Sequence, residues 1–348
     1  MGSRLARALA PVLFLGLAVP FVPAGAAVLR STAENVAPVD DSAYQQLIDA
    51  ANAVVGVKVR ALPDAHSNET LGAERAGSGV LIGPEGLILT IGYLILEADQ
   101  VEVTDSDGQT VPAAVVAYDH ATGFGLLRPF AHLSPKPITI GSSAPVSQLD
   151  RLMIVTGGGE QTISIATVVS RRRYAGYWEY LIDGAIFTSP PRLDHSGAAL
   201  INKDGELVGI GSLFVMDALT PGERLPGNMF VPVDLLKPVL DEMIRTGAQR
   251  GSIRPWLGVN SLEEDGRIKV MQVSEESPAD QAGIVAGDLI LSVNGESVET
   301  LETFYSKVWG RGAPGSDVRL VVLHGPMMRE VTVHSIDRRE FMRRRSGI

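Results

Sequence analysis

Leu193-Asp194-His195-Ser196-Gly197-Ala198-Ala199-Leu200 runs directly into Ile201-Asn202-Lys203-Asp204-Gly205-Glu206-Leu207-Val208-Gly209-Ile210. The second part contains an apolar strand, a Lys-Asp-Gly turn and another apolar strand, so the stretch predicts a β-hairpin. A serine followed by a glycine and two small residues stands just before it. In isolation Ser196 has two interpretations, an ordinary exposed turn serine or a nucleophile presented at the edge of a β-barrel. Other parts of the chain are needed to decide between them.

Composition limits the class of protein. A length of 348 residues allows two or three domains with a sizeable core. The 37 glycines and 21 prolines favour many short strands and turns over long helices. A formal net charge of −10 argues against nucleic-acid binding. Because there is no cysteine, disulfides, thiol nucleophiles and zinc–thiolate sites are excluded. No histidines have metal-ligand spacing such as H-E-x-x-H, so we predict neither a metal nor a cofactor.

The first residues indicate the cellular location. Two arginines precede an apolar run over residues 8–22, and the small residues Ala24-Gly25-Ala26 follow. This pattern predicts a cleaved signal peptide at 1–26, export to the periplasm or its equivalent, and a flexible mature terminus at 27–42. The alternative is an uncleaved N-terminal membrane anchor. The run is shorter than the ~20 apolar residues of a spanning helix, and two prolines interrupt it.

A second stretch gives the serine its context. Gly77-Ser78-Gly79-Val80-Leu81-Ile82 and Leu87-Ile88-Leu89-Thr90 form two apolar strands around a Pro-Glu-Gly turn. Together with the Ser196 stretch, this pattern resembles the HtrA/DegP family of exported trypsin-like serine proteases. The resemblance implies a mostly β protein with a chymotrypsin/trypsin-like double β-barrel, which we place at residues 43–246.

The same resemblance implies that the catalytic residues are altered. In the family motif I-L-T-N-x-H-V, Tyr93 stands where the catalytic histidine belongs. In the motif D-x-x-T-D, Gly123 stands where the histidine-orienting aspartate belongs. In G-N-S-G-G-P the nucleophile position, Ser196, is retained, but Asp194 replaces the first glycine, whose N–H group points at the oxyanion.

These replacements predict very weak catalysis. Serine attack needs a base, a group that orients the base, and donors for the oxyanion. Tyr93, with an ordinary pKa of ~10, is a poor proton acceptor at neutral pH. Gly123 cannot orient a base, and the Asp194 carboxylate opposes a developing negative charge. Loss of the base alone lowers kcat by about 10⁶ in a well-studied serine protease. His120, three residues before Gly123, is the best candidate for a rescue base, and His195 is a weaker one.

A second domain follows a short linker at 247–254. Pro255-Trp256-Leu257-Gly258-Val259, Ser277–Ile284 and Gly287–Gly295 resemble a PDZ domain of the HtrA type, which we place at 255–336. The resemblance implies that Trp256, Leu257, Gly258 and Val259 bind peptides, with backbone N–H groups of this loop holding a terminal carboxylate while the peptide adds as a strand. The tail at 337–348 carries five arginines. It is interpreted as a solvated basic end, with binding to anionic lipid or a partner as the alternative.

The favoured function is therefore that of a catalytically degenerate HtrA-like protein. It would bind peptides or unfolded proteins through its PDZ domain as an adaptor, chaperone-like binder or regulator. The resemblance also implies a homo-oligomer, usually a trimer, or a mixed oligomer with an active relative. Two alternatives remain open: an active serine endopeptidase of protein quality control in which His120 serves Ser196, and a purely structural assembly subunit.

Overall fold

A computed structural model describes residues 41–157, 162–247, 253–310 and 312–343. The predicted signal peptide, nearly all of the predicted mature terminus, the centre of the linker and the end of the basic tail lie outside the described residues. Within the described residues, none of the helices has the length and apolar character that crossing a lipid bilayer requires.

Six antiparallel strands close the first barrel. They are β1 (Val54–Ala61), β2 (Glu74–Ile82), β3 (Leu87–Ile91), β4 (Ala98–Thr104), β5 (Thr110–Tyr118) and β6 (Phe124–Pro129). Their order around the barrel is β1-β2-β3-β6-β5-β4. Val80 pairs with Leu89 in the β2–β3 hairpin, as the apolar strands around the Pro-Glu-Gly turn predict.

Six further strands close the second barrel. They are β7 (Arg151–Thr156), β8 (Thr162–Gly176), β9 (Tyr180–Ser189), β10 (Ala199–Ile201), β11 (Leu207–Val215) and β12 (Gly227–Pro232). The order is β10-β11-β12-β9-β8-β7. The β10–β11 pair is the hairpin predicted after Ser196, with Ala199 opposite Ile210. The predicted double barrel is confirmed.

The C-terminal domain is built on a separate sheet. Its strands are β13 (Pro255–Trp256), β14 (Val259–Glu264), β15 (Arg267–Val273), β16 (Leu289–Val293), β17 (Glu296–Ser297), β18 (Asp317–His324), β19 (Met327–His334) and β20 (Ile336–Asp337). Six of them form one sheet with β14 at one edge, while β13 pairs with β20. An edge strand offers unpaired backbone groups to an incoming chain.

The helices are short and lie around the sheets. They are α1 (Asp41–Asn52), α2 (Asn68–Leu71), α3 (Leu240–Thr246), α4 (Pro278–Gln281), α5 (Leu301–Trp309) and α6 (Arg338–Phe341). The sequence pattern predicts a continuous helix from Val233 to Thr246, which is wrong. A 3₁₀ turn at Val233–Leu235 is separated from α3 because Pro238 lacks an N–H donor and clashes in a helix interior.

Three groups of buried apolar side chains form the core. The largest fills the first barrel and continues between the barrels through residues such as Phe124 and Phe187. A smaller cluster around Ile154 and Phe230 fills the remainder of the second barrel. The third, which includes Phe304 and Tyr305 of α5, fills the C-terminal domain. The loops that follow β3, β5 and β9 are therefore anchored on packed barrels.

Candidate functional site

Ser196 lies in the loop between β9 and β10, at the junction of the two barrels. Its carbonyl oxygen accepts a hydrogen bond from the N–H group of Ser78 on β2 (2.8 Å). Gly197 has a φ of +73°, and a Cβ atom there would lie 1.9 Å from the Ser78 carbonyl oxygen. The serine is therefore held where the second barrel touches the first, and only glycine fits after it.

Tyr93, in the 3₁₀ turn after β3, contacts the serine hydroxyl. Its phenol oxygen lies 2.8 Å from Ser196 Oγ and 2.7 Å from the carbonyl oxygen of Ser212. A phenol has one proton and a carbonyl can only accept, so both contacts are satisfied when Tyr93 donates to Ser212 and Ser196 donates to Tyr93. Burial raises the pKa of Tyr93 above its ordinary value, and the hydrogen bond with Ser196 offsets only part of that rise.

This arrangement limits what Ser196 can do. Its hydroxyl faces a neutral phenol oxygen that already carries its own proton. A general base must accept the hydroxyl proton as the oxygen attacks, and a phenol becomes able to do so only after ionisation. Because burial makes ionisation harder, Tyr93 acts here as a hydrogen-bond partner and not as a base.

The space beside Gly123 is filled by a tyrosine of the second barrel. Gly123 has a φ of +77°, and a Cβ atom on it would lie 2.8 Å from the hydroxyl oxygen of Tyr180. That hydroxyl donates to the carbonyl oxygen of Thr122 (3.0 Å). No room remains for a carboxylate at position 123 unless Tyr180 moves.

The Asp194 carboxylate is paired within its own loop. It accepts hydrogen bonds from Arg192 Nη2 (2.5 Å) and Thr156 Oγ1 (3.0 Å). Burial alone would raise the pKa of Asp194, but the hydrogen bonds from Arg192 and Thr156, together with one from its own backbone N–H, hold it below the ordinary value. The carboxylate is thus compensated by Arg192, and the N–H group expected to serve the oxyanion faces a carboxylate instead.

The loop predicted to bind peptides also has an internal partner. Leu257 N and Gly258 N donate to Glu179 Oε1 at 3.2 and 3.1 Å. Glu179 belongs to the turn between β8 and β9 of the second barrel. Val259 begins β14, and Trp256 packs against Phe341 with ring centroids 4.7 Å apart.

A cavity of about 220 Å³ separates the serine site from this loop. Tyr93, His195 and Ser212 line it from the barrels, while Trp256 and Asn260 line it from the C-terminal domain. Phe341 of α6 closes part of its wall and stacks on His66 with centroids 4.0 Å apart. Across the residues that the structure describes, no three His, Asp or Glu side chains are grouped to hold a metal ion.

Comparisons with known proteins agree with this architecture. Residues 77–210 match the sequence model of the trypsin-like peptidase domain, and residues 255–334 match that of the PDZ domain. The chain is 30% identical over 293 residues to serine endoprotease DegS of Haemophilus influenzae, an alignment that covers 79% of this chain and 81% of that protein. The chain belongs to the HtrA/DegP family.

Other relatives place it within the same family. Identity to DegS of Escherichia coli is 31% over 295 residues, covering 79% of this chain and 80% of that protein. A probable periplasmic DegP-like serine endoprotease of Halomonas elongata is 26% identical, and the chain spans 55% of its length. Two solved structures each align with a TM-score of 0.50. The serine endoprotease of Yersinia pestis is 26% identical, with 85% of this chain and 97% of that one covered. The HtrA-type protease AlgW with tripeptide is 23% identical, with 87% of this chain and 98% of that one covered.

Neither candidate rescue base of this HtrA-family chain is brought to the serine by the contacts described. His120 packs edge-on against Tyr118, with centroids 4.2 Å apart, and its buried Nδ1 has no hydrogen-bond partner among the described residues. Burial lowers the pKa of His120 well below its ordinary value. His195 Nδ1 lies 3.1 Å from the carbonyl oxygen of Arg192, which makes this nitrogen a donor to its own loop.

The basic tail differs from its prediction as a solvated end. Arg338 and Arg339 lie in α6, and Arg339 pairs with Asp337. The backbone N–H of Arg343 donates to Glu97 Oε1 of the first barrel (2.7 Å). The described part of the tail is therefore folded against the rest of the chain.

Sequence reasoning missed two residues that shape the PDZ site. Glu179 contacts the loop predicted to hold the carboxylate, and Tyr305 contacts the turn that carries Glu179. A sequence signal exists only for the turn, where Gly176 precedes the aromatic pair Tyr177-Trp178 between two strands. No pattern in the sequence connects that turn with a loop 78 residues away.

Proposed function

We propose that this chain is a catalytically inactive HtrA-like protein, exported to the periplasm, that binds peptide termini or unfolded segments through its PDZ domain. Its role would be that of an adaptor, chaperone-like binder or regulator. The observation that carries the proposal is the contact between the Tyr93 phenol and the Ser196 hydroxyl (2.8 Å). A protonated phenol occupies the place from which a base would have to act.

Two neighbouring features support the loss of catalysis. Tyr180 occupies the space beside Gly123 that an orienting carboxylate would need. The Asp194 carboxylate, which is paired with Arg192, lies in the loop whose backbone N–H groups would have to stabilise the oxyanion, and its negative charge opposes that stabilisation. Each feature weakens a different component of acyl transfer, so restoring any single one would leave the others absent.

Binding through the PDZ domain is supported by the sheet and by a structural relative. β14 is an edge strand, which is the geometry that strand addition requires. AlgW, whose fold this chain shares, was solved with a tripeptide. We extend the proposal to assembly as a homo-oligomer or with an active relative, which light-scattering mass measurements would test.

The decisive experiment measures cleavage and covalent labelling. Wild-type protein, Ser196→Ala and the exposed-turn control Ser106→Ala are incubated with casein and, separately, with a fluorophosphonate probe. Because Ser196 has no base, we expect all three to give the same background cleavage, about 10⁶-fold below an active serine protease, and no labelling. Cleavage or labelling that disappears only in Ser196→Ala would refute the proposal.

An active serine endopeptidase with a rearranged site is the second candidate. It is favoured by the relatives, which are named serine endoproteases. In that case cleavage would depend on Ser196 and also on a new base, so His120→Ala would lose activity together with Ser196→Ala. Loss in Ser196→Ala alone would instead point to a base other than His120.

A further inference from the structure

The turn between β8 and β9 enters the PDZ domain at the loop predicted to hold a peptide's terminal carboxylate. Glu179 Oε1 accepts hydrogen bonds from two consecutive backbone N–H groups, those of Leu257 (3.2 Å) and Gly258 (3.1 Å). Consecutive N–H groups that converge on one oxygen form an anion-binding concavity. In this chain a side-chain carboxylate of the barrel fills it.

The backbone of the same turn lies along the edge of the PDZ sheet. Ser261 N on β14 donates to the carbonyl oxygen of Tyr177, two residues before Glu179 (2.7 Å). Strand addition uses main-chain hydrogen bonds of this kind along an open edge. Tyr177-Trp178-Glu179 therefore takes the position of the last three residues of a bound peptide, with the Glu179 side chain in place of a terminal carboxylate.

Helix α5 supplies the opposite wall. Tyr305 Oη donates to the carbonyl oxygen of Gly176 (2.6 Å) and accepts a hydrogen bond from Glu179 N (3.2 Å). Tyr305 is 1% exposed, and Ala175 packs on the PDZ core. On the outer side, Arg173 of β8 forms an ion pair with Glu302 of α5. The turn is thus held by the carboxylate loop, the edge strand and the helix together.

We propose that residues 176–179 form an internal ligand that closes the PDZ groove, so that a peptide with a free C-terminal carboxylate binds only after this turn has left. This internal ligand and an external peptide need the same two N–H groups and the same edge of β14, so their binding is mutually exclusive. The partner class is a chain whose last three residues are extended and end in a carboxylate. The inference rests on the proposed peptide-binding role and adds its regulation.

Protonation of Glu179 makes the closure pH-dependent. Burial raises the pKa of Glu179 to about 7, although Arg338 and the backbone N–H groups of the loop lower it in part. Glu179 borders a small cavity together with the titratable residues His120, Arg254, Asp337 and Arg338. Tyr305 of α5 also lies beside Glu179. Burial lowers the pKa of His120 well below its ordinary value, which favours the neutral imidazole.

Closure and protonation of Glu179 are thermodynamically linked, and this linkage fixes how closure changes with pH. A carboxyl whose pKa is raised by closure favours the closed state fully below its open-state pKa of about 4.3, and this preference is lost as the pH rises through about 7. We therefore expect wild-type protein to bind a carboxylate peptide roughly tenfold more tightly at pH 8 than at pH 5.5. Glu179→Gln, which keeps an acceptor oxygen but does not titrate, should show little change. An equal pH dependence in both proteins would contradict a role of Glu179.

The main test uses the full chain with Glu179→Ala and, as the matched control, Glu223→Ala on an exposed loop of the same barrel. Amide hydrogen exchange at Leu257, Gly258 and Ser261 reports closure directly and needs no ligand. Binding is measured by fluorescence anisotropy with a labelled pool of decapeptides whose last four residues are randomised, once with a free carboxylate and once as the amide. We expect exchange at the three amides to accelerate at least about tenfold in Glu179→Ala, and affinity for the carboxylate pool to rise by a similar factor.

The outcomes separate this inference from the proposed function. Faster exchange with tighter binding of the carboxylate pool supports both. Faster exchange without binding by either protein supports the closed groove and contradicts the peptide-binding role. Exchange in Glu179→Ala that equals that of wild type and Glu223→Ala overturns the internal ligand, whatever the peptides do.

Discussion

Tyr93→His combined with Gly123→Asp is expected to restore the residue types of a serine-protease triad without restoring cleavage, and to destabilise the protein. The left-handed φ of +77° at Gly123 costs a residue with a side chain about 1–2 kcal/mol. A Cβ atom 2.8 Å from the Tyr180 hydroxyl adds an overpacking cost of about 1–3 kcal/mol. We therefore expect the change at position 123 alone to lower the free energy of unfolding, measured in urea, by about 2–5 kcal/mol.

A matched glycine separates the two costs. Gly108 has a similar φ of +84°, but a Cβ atom there meets nothing within 4 Å. Gly108→Asp should therefore lose only the conformational part, about 1–2 kcal/mol. Tyr93→His alone, which lacks the overlap at 123, should lose only about 1–3 kcal/mol, because the buried Ser212 carbonyl oxygen loses the hydrogen bond from the phenol. Ser196-dependent cleavage of casein by the double variant would show that the barrels still accommodate a triad, contrary to the packing around Tyr180.

The sequence predicts the barrels well because their signals are local. The β10–β11 hairpin follows from the alternation of apolar strands around a Lys-Asp-Gly turn, and the β2–β3 hairpin from a Pro-Glu-Gly turn. Turn chemistry and strand pattern act between neighbours in the chain, so they can be recognised without knowing the fold. The predicted helix at 233–246 is interrupted at Pro238, because the periodic apolar pattern does not reflect the N–H donor that proline lacks.

The electrostatics of the site were much less predictable. Asp194 is identifiable as an unfavourable residue in an oxyanion loop, but its compensation by Arg192 and Thr156 depends on side-chain directions. The contact of Glu179 with Leu257 and Gly258 joins two domains and has no counterpart in local spacing. Interactions between distant segments can be identified only from the relative positions of the domains. Here they place a side chain in a PDZ groove that was expected to be open to peptides.

Arg75→Met is expected to lower the free energy of unfolding by about 3–5 kcal/mol, because it leaves buried acceptors and a carboxylate without their cation. Arg75 on β2 is 7% exposed. Its guanidinium donates to the carbonyl oxygens of Gly72, Tyr93 and Leu96 and to Ser67 Oγ, at 2.7–3.1 Å. Burial lowers the pKa of Arg75, and the negative charge of Glu97 partly reverses this effect.

This network links the serine site to the tail, so the variant has a readout besides stability. Ser67 Oγ donates to Glu97 Oε2 (2.5 Å), and Glu97 in turn accepts from the backbone of Arg343. Arg75 also holds the backbone of Tyr93, so its loss should accelerate amide exchange in the turn after β3 and at Arg343.

Arg128→Met is the control, because Arg128 is 51% exposed and pairs with Glu85 at 3.8 Å, an arrangement worth about 0–1 kcal/mol. A loss under about 1 kcal/mol in Arg75→Met, similar to that of the control, would mean that water replaces the guanidinium and that the network does not fix the position of Tyr93.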